Sequence, residues 1–223
     1  MSDPKTFFLA EYPEALLLDS VSPEELRHYL NQSGWLEQPL GSIEVSDAGE
    51  GNMNFTKRIV FDGGSIILKQ SIPWVARYPD IPAPQDRLIR EARFYQMVYD
   101  YPAVSDAMPA LLGLDVKNRI AVLTDLGPAR DFTFLYARNA NLNAEQLAEL
   151  AQWLSALHSL PFSESESQHL PSRDMRELNF EHIFCLPFQA DNGLDLDSIT
   201  PGLAAEAGRI IGQNNLVRNV RKL

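Results

Sequence analysis

The first half of the chain carries the alternating apolar and polar positions that are typical of β-strands. From Ser42 to Ser46, for example, Ile43 and Val45 fall on one face, as strand periodicity requires. The Asp62-Gly63-Gly64 sequence between two apolar runs predicts a tight hairpin turn. The predicted strands span Ser42 to Ser46, Phe55 to Phe61, Ser65 to Gln70, Leu111 to Val116 and Ile120 to Thr124.

Helical periodicity opens the first half and dominates the second. Ser22, Pro23 and Glu25 have the spacing of a capping box, and the apolar stripe that follows predicts an amphipathic helix ending near Gly34. Prolines make residues 71–84 a predicted loop. Further helices are predicted over Asp86 to Tyr99, Ala144 to Leu160, Arg173 to Phe188 and Pro201 to Leu223.

This order of elements predicts an α+β protein in two parts. After the opening helix, the predicted order up to Thr124 is three strands, one helix and two strands, and only helices follow. The segment from Leu126 to Asn143 has little periodicity, which is typical of a connection between domains. We therefore expect a first domain over residues 1–126 and a second over residues 127–223.

Charge and composition narrow the classes of function. The chain has 223 residues with 19 Lys and Arg against 30 Asp and Glu, a formal charge of −11, which argues against nucleic acid as a partner. The apolar fraction of 45% argues against wholesale disorder. A single cysteine, Cys185, excludes an internal disulfide framework. With no long apolar run and no signal-peptide pattern, we expect a cytoplasmic protein that does not bind membranes.

Two features in the strand-rich half are candidates for binding phosphate. The segment Gly49-Glu50-Gly51-Asn52-Met53-Asn54 joins two predicted strands, and its glycines would let backbone N–H groups approach an anion. An ordinary glycine-containing hairpin turn explains the same residues. Lys69 ends an Ile66-Ile67-Leu68 strand, where its ammonium would hold phosphates as a point charge. A solvated lysine at a strand end is the simpler interpretation.

Two further features gain meaning only from their order along the chain. Glu91 lies on the helix after the proline-containing loop, where its carboxylate would pair with Lys69. Alternatively, it is a surface glutamate with Arg87 as its partner at i−4. Asp125 and Leu126 follow the fifth strand, where backbone groups would face an adenine edge, or the chain simply leaves the strand there.

The stretch from Gly51 to Tyr95 resembles the methylthioribose kinase branch of the aminoglycoside-phosphotransferase and choline-kinase superfamily. The resemblance rests on Lys69-Gln70, then Pro73-Trp74-Val75, then Asp86-Arg87 and Glu91-Ala92. The segment Ala156-Leu157-His158-Ser159-Leu160 also resembles a helix end common in these small-molecule kinases. The likeness covers roughly residues 40–160.

The resemblance implies a protein-kinase-like fold, with an antiparallel five-stranded nucleotide lobe followed by a helical lobe. It implies that ATP is bound with Mg²⁺ and that a small molecule, such as methylthioribose, is the phosphate acceptor. The residues it assigns to phosphate are Gly49, Gly51, Asn52 and Asn54. It makes Lys69 and Glu91 an ion pair, and Asp125 and Leu126 the hinge.

The motifs that carry the chemistry in this superfamily are missing from the sequence. Its members orient the acceptor hydroxyl with an aspartate in a His-Gly-Asp loop, and a second acidic motif holds Mg²⁺. Neither occurs between Asp131 and Leu223, so no catalytic residue is assigned and we expect an incomplete helical lobe, with the chain ending before the catalytic loop. The alternatives are a non-catalytic pseudokinase, as a monomer or homodimer that binds nucleotide or a partner protein, and an α+β domain that binds no nucleotide.

The proline-containing loop allows two interpretations of its aromatic and basic residues. Trp74, Arg77 and Tyr78 would close over a substrate if the loop acts as a lid. Alternatively, Trp74 packs between a strand and a helix. The sequence favours neither.

Overall fold

The computed structural model describes residues 4–49, 51–128, 131–189 and 191–220. Glu50 and Leu223, which were part of the predictions above, lie outside the described residues. The chain divides into two compact units between Pro171 and Ser172. The predicted boundary between residues 126 and 127 is a different division and stays a prediction.

Five antiparallel strands form the main sheet, in the order β1-β2-β3-β7-β6. The predicted α+β class and the five-stranded antiparallel sheet are therefore confirmed. A separate two-stranded hairpin is made by β4 and β5. The strands are β1 (Ile43–Asp47), β2 (Phe55–Phe61), β3 (Gly64–Gln70), β4 (Trp74–Val75), β5 (Tyr78–Pro82), β6 (Leu111–Asp115) and β7 (Ile120–Thr124).

Alternation along β3 gives the sheet two different faces. Ile66, Leu68 and Gln70 are buried on one side, which we call the core face. Ser65, Ile67 and Lys69 are half-buried on the other side, which we call the Lys69 face. The strand therefore supplies a core and presents a lysine on the surface opposite to it.

Helices α1 (Pro4–Glu11) and α2 (Pro23–Ser33) precede the sheet, and α2 fills the core face. The predicted capping box is present. The Ser22 side chain accepts from the Glu25 N–H, and the Glu25 carboxylate accepts from the Ser22 N–H. The buried cluster on this face consists of Leu18, Leu26, Leu30, Leu40, Ile59, Ile66, Leu68, Ile120 and Val122. Its apolar packing holds the sheet in place.

Gln70 is a buried amide that joins three distant segments at the end of β3. Its Nε2 donates to Leu16 O at 2.7 Å and to Asn118 O at 3.0 Å, and its Oε1 accepts from Leu18 N at 2.8 Å. Leu16 N in turn donates to Asn118 Oδ1 at 3.0 Å. Every donor and acceptor of a buried side chain needs a partner, and this arrangement supplies them.

The prediction that residues 71–84 form a loop is wrong, because β4 and β5 pair there. Trp74 lies opposite Pro82, and Val75 lies opposite Tyr78. The ladder is short and has a register shift between Trp74 and Val75, and both of its strands are edge strands, where prolines are tolerated. Proline content alone therefore gave the wrong assignment.

Helices α3 (Arg87–Val98) and α4 (Pro102–Ser105) follow the hairpin. The first matches the predicted helix over Asp86 to Tyr99 within one residue at each end. It lies against β6 and β7, with Leu88 and Ala92 buried. Because α3 also brings Glu91 to Lys69, it lies on the Lys69 face, and the sheet is enclosed by α2 on one side and α3 on the other.

The remaining helices of the first unit are α5 (Ala144–His158) and the short α6 (Glu164–Ser167), preceded by a 3₁₀ turn over Phe132–Tyr136. A capping box between Asn143 and Gln146 begins α5. Trp153 of α5 donates its indole N–H to Val104 O at 3.1 Å, which connects α5 to α4. The predicted helix over Ala144 to Leu160 is confirmed.

The second unit contains α7 (Arg173–Phe180), α8 (Leu196–Ile199), α9 (Leu203–Ile211) and α10 (Asn214–Val220). The single helix predicted over Arg173 to Phe188 is wrong in its second half, which continues as a π turn and then a 3₁₀ turn that contains Pro187. The helix predicted from Pro201 to Leu223 is interrupted after Ile211, where Gly212 ends α9.

Candidate functional site

Lys69 and Glu91 form a close ion pair on the Lys69 face. The ammonium Nζ lies 2.7 Å from Glu91 Oε1 and 2.8 Å from Oε2. The side chains remain 26% and 30% exposed, so solvent and solutes reach the pair. The structure therefore contains the pair that the family resemblance implies, while its part in nucleotide binding stays a prediction.

The alternative partner for Glu91, Arg87, is turned away from it. The Arg87 guanidinium donates from Nε to Asn54 Oδ1 at 2.8 Å and from Nη2 to Met53 O at 2.7 Å. Its Nη1 donates to Ile72 O at 2.8 Å and to Pro84 O at 2.6 Å. The local i−4 pairing considered above is therefore wrong, and Glu91 is left to Lys69.

Arg87 is a buried cation whose acceptors are neutral. Burial lowers the pKa of its guanidinium to about 10, although the charges of Asp86 and Glu91 act in the opposite direction. The group therefore stays charged at neutral pH. This role of Arg87 was not predicted from the sequence, although one signal for it was present. The first turn of a helix disfavours a cation, so an arginine there points to an interaction outside the helix.

The glycine-containing loop, residues 49–54, is tied to the β4–β5 hairpin. Arg77 N donates to Asn52 O at 3.0 Å, and Ala76 N donates to Met53 O at 3.4 Å. The Asn52 side chain accepts from Arg77 Nη1 at 3.4 Å. Asn52 and Asn54 were both predicted to face phosphate. Their side-chain oxygens accept hydrogen bonds from Arg77 and Arg87, respectively.

The glycines of this loop keep their surroundings open. Gly49 has φ +72°, a left-handed conformation that favours glycine. A Cβ added at Gly49 or at Gly51 would meet no atom within 4 Å. Gly51 lies outside the left-handed region, so its backbone does not itself demand a glycine. Both positions leave space around the backbone, as the approach of an anion requires.

A cleft of about 470 Å³ adjoins the loop, and Lys69 is not among its lining residues. It is lined in part by Phe55, Lys57 and Arg77. Lys57 lies opposite Leu68 in the ladder and shares its core face, whereas Lys69 points to the other face. The Lys57 ammonium Nζ lies 2.6 Å from Asp47 Oδ1. Near the loop, the sheet therefore has a lysine on each face, Lys57 on the core face and Lys69 on the other. Only Lys69 belongs to the predicted site.

The side chain of Asp125 is held by three hydrogen bonds, while the predicted role of its backbone as a hinge stays a prediction. Its carboxylate accepts from Arg58 Nε at 2.7 Å, from Ser65 Oγ at 2.7 Å and from Gly127 N at 3.0 Å. Burial acts to raise the pKa of this carboxyl, but the three hydrogen bonds outweigh it and the pKa lies below its usual value. Leu126, the other predicted hinge residue, is exposed.

Together these groups give the Lys69 face a distinct layout. Arg58 lies opposite Ile67, and Thr56 lies opposite Lys69. These two ladder positions are two residues apart, which is about 7 Å along the strand. The face thus carries the Lys69–Glu91 pair at one end, the Arg58–Asp125 pair at the other, and the apolar Ile67 side chain between them.

Trp74 belongs to the core and not to a lid. It is 4% exposed and packs with Leu17 and Ile72, and Phe8 meets its ring edge-on at a centroid distance of 5.8 Å. Its indole Nε1 has no hydrogen-bond partner among the described residues. The packing interpretation of Trp74 is thus confirmed. Tyr78 is 51% exposed on the hairpin.

A cleft of about 770 Å³ lies between α3, α4 and β6. It is lined by Tyr95, Tyr99, Asp106 and residues of β6. Burial raises the pKa of the Tyr95 hydroxyl, and the charge of Glu91 adds to this. The cleft offers a broad apolar surface, but it brings together no pair of opposite charges like that of Lys69 and Glu91 among the described side chains.

No protein-family model matches this chain, and no curated protein matches it either. Within the described ranges, no three or more His, Cys, Asp or Glu side chains are grouped so that they could hold a metal ion. No described helix combines the length and the hydropathy that crossing a bilayer requires. The geometry of the Lys69 face is therefore the observation that bears on function.

Proposed function

We propose that this chain forms the nucleotide-binding part of an ATP-dependent kinase that phosphorylates a hydroxyl group of a small molecule. The observation that carries the proposal is the Lys69–Glu91 ion pair on an accessible sheet face. The order of elements around the pair also supports a protein-kinase-like fold of the methylthioribose kinase type, with a sugar or an amino alcohol as the acceptor.

The ion pair suits a phosphate ligand because the ammonium is fixed but not saturated. A lysine ammonium has three N–H donors, and Glu91 takes two of them. The third remains for a phosphate oxygen, while the carboxylate holds the cation in position before the ligand arrives. A preorganised positive charge of this kind is what the α- and β-phosphates of a nucleotide require.

The rest of the Lys69 face suits a base. Ile67 offers an apolar surface next to the ion pair, on the same side of the sheet. At the far end, the Asp125 carboxylate accepts from Arg58 and from Ser65, and Ser65 lies four residues, about 13 Å, along β3 from Lys69. A flat apolar group flanked by polar edges matches this layout, since binding sites combine apolar walls with a few placed polar groups.

Mg²⁺ bridges the β- and γ-phosphates in enzymes of this kind. The described residues do not fit a resident metal site, because they contain no suitable group of acidic or histidine side chains. We therefore assign no metal-dependent step and no phosphoryl transfer to these residues. The function proposed for them is to bind and orient the nucleotide.

Titration with ATP tests the proposal, with Lys69→Met as the main variant and Lys57→Met as the matched control. Both lysines lie near the glycine-containing loop and contact a carboxylate, but on opposite faces of the sheet. We expect Lys69→Met to lower ATP affinity at least about tenfold, the loss of one charge-assisted phosphate contact. We expect Lys57→Met to change it less than about twofold.

Isothermal titration calorimetry on the whole chain gives the result directly. Equal ATP affinity in wild type and Lys69→Met would refute the proposal, as would an absence of binding to the wild type. If Lys57→Met alone lost affinity, the phosphates would lie in the cleft that Lys57 lines. Transfer of the γ-phosphate to methylthioribose by this chain would instead contradict the assignment of a binding role alone.

A further inference from the structure

We infer that Arg87 is a positioning residue that holds the glycine-containing loop at a set distance from the Lys69–Glu91 pair. The inference extends the proposed function, on which its ligand-binding part rests. Its structural part, the coupling of the loop to α3 through one guanidinium, can be measured without any ligand.

The guanidinium joins α3 to two other segments of the chain. On the loop, it binds Met53 O and the Asn54 side chain. On the segment from Ile72 to Pro84, it binds Ile72 O and Pro84 O and reaches Trp74 O at 3.5 Å. The planar fork of an arginine makes such multiple contacts possible, and a lysine ammonium cannot reproduce them.

The loop also contacts the β4–β5 hairpin through its backbone. Met53 O also accepts from Ala76 N, and the neighbouring Asn52 O accepts from Arg77 N. The loop is therefore joined to the β4–β5 hairpin directly, and both are joined to α3 through Arg87. A displacement of α3 would have to break these bonds or carry the loop and the hairpin with it.

The position of Arg87 on α3 connects this network to the ion pair. Glu91 lies four residues further along, about 6 Å along the helix axis. The guanidinium is almost completely buried and faces the loop, whereas Glu91 faces Lys69. One helical turn thus sets the spacing between the loop and the ammonium.

Hydrogen exchange on Arg87→Lys tests the structural part. We expect faster exchange at the amides of Ala76 and Arg77, by about tenfold, because the carbonyls that accept from them lose their support. Arg90→Lys is the matched control, since Arg90 is on the same helix and also donates to backbone carbonyls, those of His169 and Pro171. In Arg90→Lys these amides should exchange as in the wild type.

Asn54→Ala keeps the test decisive if Arg87→Lys fails to fold. It removes only the Arg87 Nε contact with the loop, so we expect the same two amides to exchange faster, by a smaller factor. Unchanged exchange at Ala76 and Arg77 in the folded variants would overturn the inference. Uniformly faster exchange throughout the chain would also overturn it, since it would mean a general structural role.

Binding of ATP and of inorganic tripolyphosphate tests the functional part. We expect Arg87→Lys to weaken both by a similar factor, about tenfold, because only the phosphate-facing loop has moved. Loss of affinity for ATP but not for tripolyphosphate would overturn this role. If the wild type bound neither, the proposed function would fail, and the exchange measurements would still decide whether Arg87 positions the loop.

Discussion

The sheet and the helices that follow it differ in what holds them. The sheet is enclosed by α2 and α3, and its core residues, such as Leu68 and Val122, have almost no exposed surface. No described residue after Leu123 is buried to that degree. In α5, Leu147 and Leu154 are 57% and 38% exposed although they lie on the apolar stripe of the helix.

The difference separates two kinds of information in the sequence. A capping box begins α2 and another begins α5, and local hydrogen bonds are equally complete in both. Burial needs an extensive partner surface. The helix α2 packs on the buried cluster of the core face, whereas α5 contacts α4 without burying any of its own described residues. Local signals therefore set where a helix begins, and long-range packing sets how much the helix contributes to stability.

Replacing one leucine by alanine in the sheet and one in α5 should give the largest difference in the free energy of unfolding. Leu68→Ala removes a fully buried side chain and should lower the free energy of unfolding by about 2–5 kcal/mol. Leu147→Ala removes an exposed side chain and should change it by less than about 0.5 kcal/mol. Urea denaturation followed by Trp fluorescence measures both. Similar losses would mean that α5 is packed as closely as the sheet.

The Asp125 carboxylate makes the free energy of unfolding depend on pH, and substitution of this residue should remove that dependence. Its pKa in the folded chain lies below the usual 3.8, so its ionised form adds stability above that pH, which is lost as the pH falls through the folded pKa. Asp125→Asn should lower the free energy of unfolding by about 1–3 kcal/mol near pH 7. The gap from the wild type should narrow below about pH 4. A constant gap from pH 7 to pH 3 would contradict this account.

The two helix caps provide the smallest and most selective test. Ser22→Ala removes the cap of a helix packed on the core and should lower the free energy of global unfolding by about 1 kcal/mol. Asn143→Ala removes the cap of α5 and should lower protection from hydrogen exchange only within that helix. An effect of Asn143→Ala on global stability as large as that of Ser22→Ala would remove the distinction between the regions.

The sequence predicted the main elements because their signals are local. Alternation and the Asp62-Gly63 turn gave β2 and β3, and the capping boxes and apolar stripes gave α2 and α5. The β4–β5 hairpin was missed because prolines dominate the segment, although an edge position tolerates them. Short turns such as α4 and α8 carry too few residues for a periodic signal.

The candidate site was predictable only in part. The family resemblance led to Lys69 and Glu91, whose carboxylate and ammonium do meet. The contacts of Arg87 and Arg58 could not be predicted, because each depends on segments brought together by the fold. The hinge role of the Asp125 backbone stays a prediction, and the contacts of its side chain with Arg58 and Ser65 were not predicted.

The amide of Gln70 has a consequence for the timing of folding during synthesis. Its partners include Leu16 and Asn118, which are 102 positions apart in the chain. A ribosome adding about 5–20 residues per second needs between about 5 and 20 s to cover that distance. Until Asn118 has emerged, the N-terminal segment has no complete anchor, and the open edge of β3 is available to molecular chaperones.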